Sequence, residues 1–197
     1  MSYSRQLSLA GCALASIFFI GCQTPIQKIQ PAPTPSSPLE APAVNQFQLQ
    51  GKIGVRTPQQ SGSAFYTWVQ QGDEFELELT GILGVGKTQI SGKPGNVVLN
   101  SAKTGRIEAQ NAEELLQRAT GWQAPITHLV DWVQGRAATT HALLQKDTLN
   151  RIINIQEQDW QVELSYNEKA VLPNRLILKQ QLENGAENRI TMLIQNR

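Results

Sequence analysis

Phe75-Glu76-Leu77-Glu78-Leu79-Thr80-Gly81-Ile82-Leu83-Gly84-Val85-Gly86-Lys87-Thr88 carries the motif of one fold inside the pattern of another. From Gly81 to Thr88 the letters run G-x-x-x-x-G-K-T, the string of a phosphate-binding P-loop. A P-loop needs a strand buried on both faces before it, and a helix after it whose amides receive the phosphates. Phe75 to Leu79 instead alternates apolar with acidic, the pattern of a strand with one face in water. Downstream, Gln89-Ile90-Ser91-Gly92-Lys93-Pro94-Gly95 cannot sustain a helix, because Gly92 and Pro94-Gly95 break it. Glu74, Glu76 and Glu78 would also repel a triphosphate. The stretch therefore predicts a β-hairpin whose connection holds three aliphatic side chains, Ile82, Leu83 and Val85, among three glycines.

Alternation continues on both sides. Phe47, Leu49, Gly51, Ile53 and Val55 form one face of a strand, with Gln48, Gln50 and Lys52 on the other. Further strands are predicted over 64–69, 75–80, 88–91, 96–100 and 106–109, then over 151–156, 160–166, 175–179 and 188–194. Gly72-Asp73, Pro94-Gly95, Gln158-Asp159 and Asn184-Gly185 supply turn chemistry between them. The spacing describes an antiparallel meander of about eight to eleven strands.

One helical interlude interrupts it. Asn111 can cap a helix, with Glu114 completing a capping-box arrangement; Leu115, Leu116 and Ala119 make its apolar stripe and Gly121 ends it. A second helix is predicted from about Ile126 to Gln134, and a third, short one over Thr139 to Leu144. The fold class is mostly β: an unclosed antiparallel barrel with an α-helical lid over a hydrophobic cavity. Phe65, Trp68, Leu116, Trp122, Leu129, Trp132 and Trp160 are the candidates to line that cavity or its lid. An ordinary packed core would use the same residues, so periodicity leaves both open.

The N-terminus addresses the chain. Arg5 and the apolar run Leu7 to Ile20 make a secretory signal peptide, too short for a good membrane span. Phe19-Ile20-Gly21-Cys22 reads as a lipoprotein processing site with lipid attached at Cys22. Leu9-Ala10-Gly11-Cys12 matches the pattern letter for letter, but cleavage there would leave too short a hydrophobic region. The expected division is 1–21 signal peptide, 22–45 lipidated cysteine plus tether, and 46–197 barrel domain. Six prolines between Thr24 and Val44 preclude a core and predict an extended tether, at about 3.1 Å per residue.

Charge and cysteine content narrow the function. Of seventeen basic residues only Arg5 precedes Cys22, so the processed chain would carry sixteen basic and sixteen acidic residues. A balanced chain does not suggest a nucleic-acid surface. No cysteine beyond Cys22 remains for a disulfide in the oxidising compartment. His128 and His141 are the only histidines, too few for a zinc site, and no G-x-S-x-G supports a hydrolase. No catalytic residue, metal or cofactor is expected. Glu74, Glu76 and Glu78 read as a solvated strand face.

Leu79-Thr80-(x)2-Leu83-Gly84, Pro94-Gly95-Asn96-Val97, Asn111 to Leu116 and Thr120-Gly121 together resemble the LolB family of outer-membrane lipoprotein receptors. Pro125-Ile126, Leu129, Trp132, Gly135, Trp160 and Val162 extend the resemblance in the same order, over most of Phe47 to Ile194. It implies a protein in the outer membrane of a Gram-negative bacterium, lipid-anchored and facing the periplasm. Such a protein accepts acylated lipoproteins from the soluble carrier LolA and places them in the membrane, without nucleotide. It also implies that Leu83, at a position where the family projects a leucine, touches lipid. Here Gly81-Ile82 and Val85-Gly86-Lys87 depart from the family pattern, so Ile82 and Val85 are included with it. The expected partners are a LolA-type carrier, acylated cargo and outer-membrane lipid; a monomer is expected. A structural or other lipid-binding lipoprotein and a P-loop enzyme are the alternatives.

Overall fold

Strict alternation becomes one continuous antiparallel sheet in the computed structural model, which describes residues 45–81 and 86–197. Its strands are β1 (Gln46–Arg56), β2 (Ser61–Gln71), β3 (Glu74–Thr80), β4 (Lys87–Lys93), β5 (Asn96–Ser101), β6 (Gly105–Ala109), β7 (Leu143–Lys146), β8 (Ile152–Glu157), β9 (Trp160–Ser165), β10 (Arg175–Gln181) and β11 (Glu187–Asn196). The order across the sheet is β6-β5-β4-β3-β2-β1-β11-β10-β9-β8-β7. Every neighbour is consecutive in sequence except β1 and β11, which bring the two ends of the domain together. β6 and β7 are the free edges, so the barrel is unclosed.

The opening stretch resolves as a hairpin. β3 and β4 pair antiparallel with Leu79 opposite Thr88 and Thr80 opposite Lys87. Lys87 and Thr88 therefore lie in a strand where a P-loop would begin its helix. Lys87 Nζ meets Glu78 at 2.6 Å across the pair, and Lys93 meets Glu74 at 3.2 Å. Gly81 and Gly86, at φ 89° and 80°, close the connection in conformations that side chains other than glycine resist. Ile82 to Val85 lie outside the described residues.

Gly51 shows a different constraint. The pairing of β1 with β11 shifts register between Gln50 and Gly51, and a Cβ on Gly51 would stand 1.8 Å from the Leu193 carbonyl oxygen. The strands approach there because no side chain holds them apart.

Helix α1 (Ala112–Thr120) forms as its caps direct. The Asn111 side chain accepts from the Glu114 amide at 2.8 Å, Glu114 accepts in return from the Gln110 amide, and Gly121 closes the helix in the left-handed region. Helix α2 is only Leu129–Trp132, shorter than the Ile126 to Gln134 expected. Around it His128, Leu129, Val130, Gln134 and Gly135 donate three residues back, so tight turns flank two α-type bonds. The third helix does not form. Leu143 to Lys146 instead pair with β8 as the edge strand β7. β-branched Thr139 and Thr140 start a helix poorly, while the open edge of β8 offers a ladder.

Candidate functional site

Inward-facing alternation on β1 to β5 and β11 borders a cavity of about 480 Å³. The sheet side is lined by Ile53 and Val55 of β1, Tyr66 and Trp68 of β2, Phe75, Leu77 and Leu79 of β3, Ile90 of β4, Val97 and Leu99 of β5, and Ile190 and Met192 of β11. Leu115, Leu116 and Ala119 of α1, Trp122 and Ile126 of the connection, and Leu129 and Val130 of α2 border it from the helical side. Strands β7 to β10 contribute no lining residue. Their inner side chains, among them Ile155, Val162, Leu176 and Leu178, are packed into the core with Trp132 and Val133. One half of the barrel is filled and the other is hollow.

The inward polar groups of β2 at the hollow side are paired. Trp68 Nε1 donates to Gln70 Oε1 at 3.0 Å, and Gln70 Nε2 donates to the Gly72 carbonyl at 2.8 Å. The Tyr66 hydroxyl donates to the Leu193 carbonyl; burial pushes its pKa up to about 12 despite the opposing Arg197 charge, so it stays neutral. A mostly apolar space in the range of ordinary ligand sites, about 300–1,000 Å³, with the β2 polar groups paired to one another and to backbone is suited to a hydrocarbon guest.

Among the contacts that hold the helical segment, three sets reach its successive parts. Glu113 of α1 accepts from the amide and hydroxyl of Thr127, each at 2.7 Å. Gln134 and Arg136 donate to the Asn45 side chain just before β1. The third is buried: Glu157 of β8, 2% exposed, accepts from Trp132 Nε1 at 2.8 Å and from the Ala138 amide at 3.1 Å through Oε2. Burial alone would raise this carboxyl's pKa. Hydrogen bonds from Thr139, Trp132 and the Ala138 and Thr139 amides outweigh that and leave it lowered.

The predicted cavity residues divide between the two halves. Trp68, Leu116, Trp122 and Leu129 border the cavity. Trp132 and Trp160 do not; both are buried, Trp132 completely, in the packed core. Phe65 is a correction. It stands 61% exposed on the outer face, since Tyr66 and Trp68 point inward and the side chain of an adjacent odd-numbered position must point away. Tyr66, Leu77, Leu79, Ile90 and Met192 were not singled out, although each shares the parity of its strand's inward face. Cys22, Ile82, Leu83 and Val85 lie outside the described residues.

The family model described as outer membrane lipoprotein LolB matches residues 45–196, the whole sheet and both helices. This chain belongs to the LolB family. The outer-membrane lipoprotein LolB of Stutzerimonas stutzeri is 40% identical over 154 residues, covering 76% of this chain and 72% of that one. The Pseudomonas putida (strain F1) protein of the same name is 38% identical over 154 residues, covering 76% and 73%. A LolA superfamily protein from Nitrosomonas europaea superposes with TM-score 0.43 at 13% identity, over 77% of this chain and 88% of that one.

In this LolB-family chain the cavity reaches the strand ends that carry the β3–β4 connection. Leu79 and Thr88, paired one step before that connection, both line it, as do Ser101, Lys103 and Thr104 at the neighbouring β5–β6 turn. The hollow side therefore runs up to the base of the segment that holds Ile82, Leu83 and Val85.

Proposed function

We propose that this protein accepts acylated lipoproteins from a LolA-type periplasmic carrier and delivers them into the outer membrane. As a LolB-family member it is an outer-membrane lipoprotein receptor in lipoprotein localisation. The observation that carries the finer reading is the 480 Å³ apolar cavity between strands β1 to β5 with β11 and the helical segment. Acyl chains move into it by differential burial of apolar surface, without bond chemistry. The helical segment acts as a lid that must shift to admit them. Lipid on Cys22 holds the protein to the outer membrane, with the Pro-rich segment before residue 46 as its tether. Delivery occurs at the β3–β4 connection, where Leu83, with Ile82 and Val85, enters the bilayer. Each large aliphatic gains roughly 1.5–3 kcal/mol on leaving water.

The test is a two-step reconstitution with carrier-bound lipoprotein and liposomes. Acceptance is read as cargo leaving the carrier for this protein, and delivery as cargo becoming liposome-associated. Wild-type protein should do both without nucleotide. Cargo that stays on the carrier at equimolar protein would overturn the reading.

A further inference from the structure

The outer face of the sheet carries a row of side chains with no part in the cavity. Register places Lys87 of β4, Thr80 of β3, Phe65 of β2, Lys52 of β1, Leu193 of β11 and Arg175 of β10 side by side on six neighbouring strands. All six are exposed, Phe65 by 61% and Leu193 by 40%. The Lys52 ammonium lies 5.9 Å from the centre of the Phe65 ring, within cation–π range. No carboxylate stands in the row. Carboxylates of the same face lie off the row: Glu78, two residues along β3, and Glu163 of β9 are engaged by Lys87 and Lys179, Glu74 and Glu187 by Lys93 and Arg189, and Glu76 stands four residues along β3. Among the described residues no ion pair engages Lys52 or Arg175.

Single exposed apolar residues are ordinary on protein surfaces. This arrangement differs in three respects. Apolar and cationic side chains alternate as Phe65, Lys52, Leu193, Arg175 across four adjacent strands, about 14 Å at the usual strand spacing, a width that a flat surface can meet. The row ends at Thr80 and Lys87, the two residues that close the β3–β4 connection. Beyond it on the same face, Arg56 stands opposite Arg189, which Glu187 engages at 3.4 Å, so Arg56 is the cation that extends the positive charge toward the β1–β2 turn. An aromatic ring beside cations is the composition that suits the headgroup layer, where phosphates and apolar surface lie together.

We propose that Lys52, Arg175, Phe65 and Leu193 form a docking strip for anionic phospholipid headgroups. It lays the outer face of β1, β2, β10 and β11 on the bilayer while the β3–β4 connection delivers cargo. This rests on the transfer function proposed above, and it assigns the membrane-bound orientation of the barrel.

Lysine labelling tests it without cargo, first with no carrier and then with carrier added. Full-length protein is reconstituted into vesicles of phosphatidylcholine, or of phosphatidylcholine with phosphatidylglycerol, and treated with an amine-reactive reagent. Mass spectrometry then follows Lys52, with Lys93 at the far end of β4 as the internal control. Labelling of Lys52 should slow by about fivefold in the anionic vesicles, the effect of one cation at a charged surface, while Lys93 is unchanged. Lys52→Glu with Arg175→Glu should keep its melting temperature and still accept cargo, but deliver more slowly to anionic vesicles. Equal Lys52 labelling in both vesicles would overturn the strip, and so would protection that appears only when the carrier is added. Failure of the transfer function would show separately, as wild-type protein that takes no cargo.

Discussion

At the scale of single residues, side-chain parity decides most of what the domain does. Phe65 and Trp68 cannot both face inward on one regular strand, and Phe65 is the one turned out. The same rule would have marked Tyr66 and Leu77 from the letters alone, because each lies two positions from an inward residue. The β3–β4 connection yields opposed predictions for neighbouring residues. Lys87 pairs with Glu78 on an exposed strand face, so Lys87→Ala should change cargo delivery little. Leu83→Glu should accept cargo, since the cavity is intact, and fail to deliver it, because a carboxylate replaces a group meant for the apolar layer. Scoring the two steps separately checks both, and a dead Lys87→Ala beside a normal Leu83→Glu would reverse the assignment. Anchoring divides two cysteines in the same way. Cys22→Ala should lose incorporation of a radioactive fatty acid, and Cys12→Ala should keep it.

Elements were legible where local and tertiary preferences agreed. The ten expected strands and α1 form as their alternation and caps require, because each turns one face inward, toward packed core or cavity. The 126–144 region departs from expectation because the two preferences conflict there. Three-residue turns on both sides confine α2 to Leu129–Trp132, and β7 exists only because β8 offers an unpaired edge. No local signal reports a partner strand. Nor could the latch on this region be read from the letters, since Trp132 and Glu157 are 25 residues apart. Glu157 has a lowered folded-state pKa, so its contribution is present above the ordinary carboxylate pKa and fades as pH falls through the lowered value. Glu157→Gln should therefore destabilise at pH 7, by about 1–3 kcal/mol for an imperfectly satisfied buried group. The difference from wild type should shrink as the pH falls toward and below the carboxylate range. Urea unfolding of both proteins across that range checks the sign. A difference that grows on acidification would mean that Glu157 is buried in its neutral form.

For the whole molecule, pairing of β1 with β11 and the missing bond between β6 and β7 make a barrel with one open side, across which the helical segment runs. The antiparallel topology followed from strand order and short turns. Whether the interior is full or hollow did not, because a lined cavity and a packed core call for the same apolar residues at the same positions. The difference lies in volume, and volume can be tested by adding to it. Ala119 of α1 lines the cavity and packs beside Val97 and Leu99. Ala119→Phe would place a ring where there is now space. Into a filled core the same change costs about 1–3 kcal/mol through overpacking. Into a hollow one it removes apolar surface from water, at roughly 25 cal/mol per Å², and should leave stability equal or raised. The ring would also occupy the room that an acyl chain needs, so affinity for a fluorescent fatty acid should fall. The two measurements move in opposite senses only if the space is both real and used. Reduced stability with unchanged fatty-acid binding would place the lipid elsewhere on the molecule.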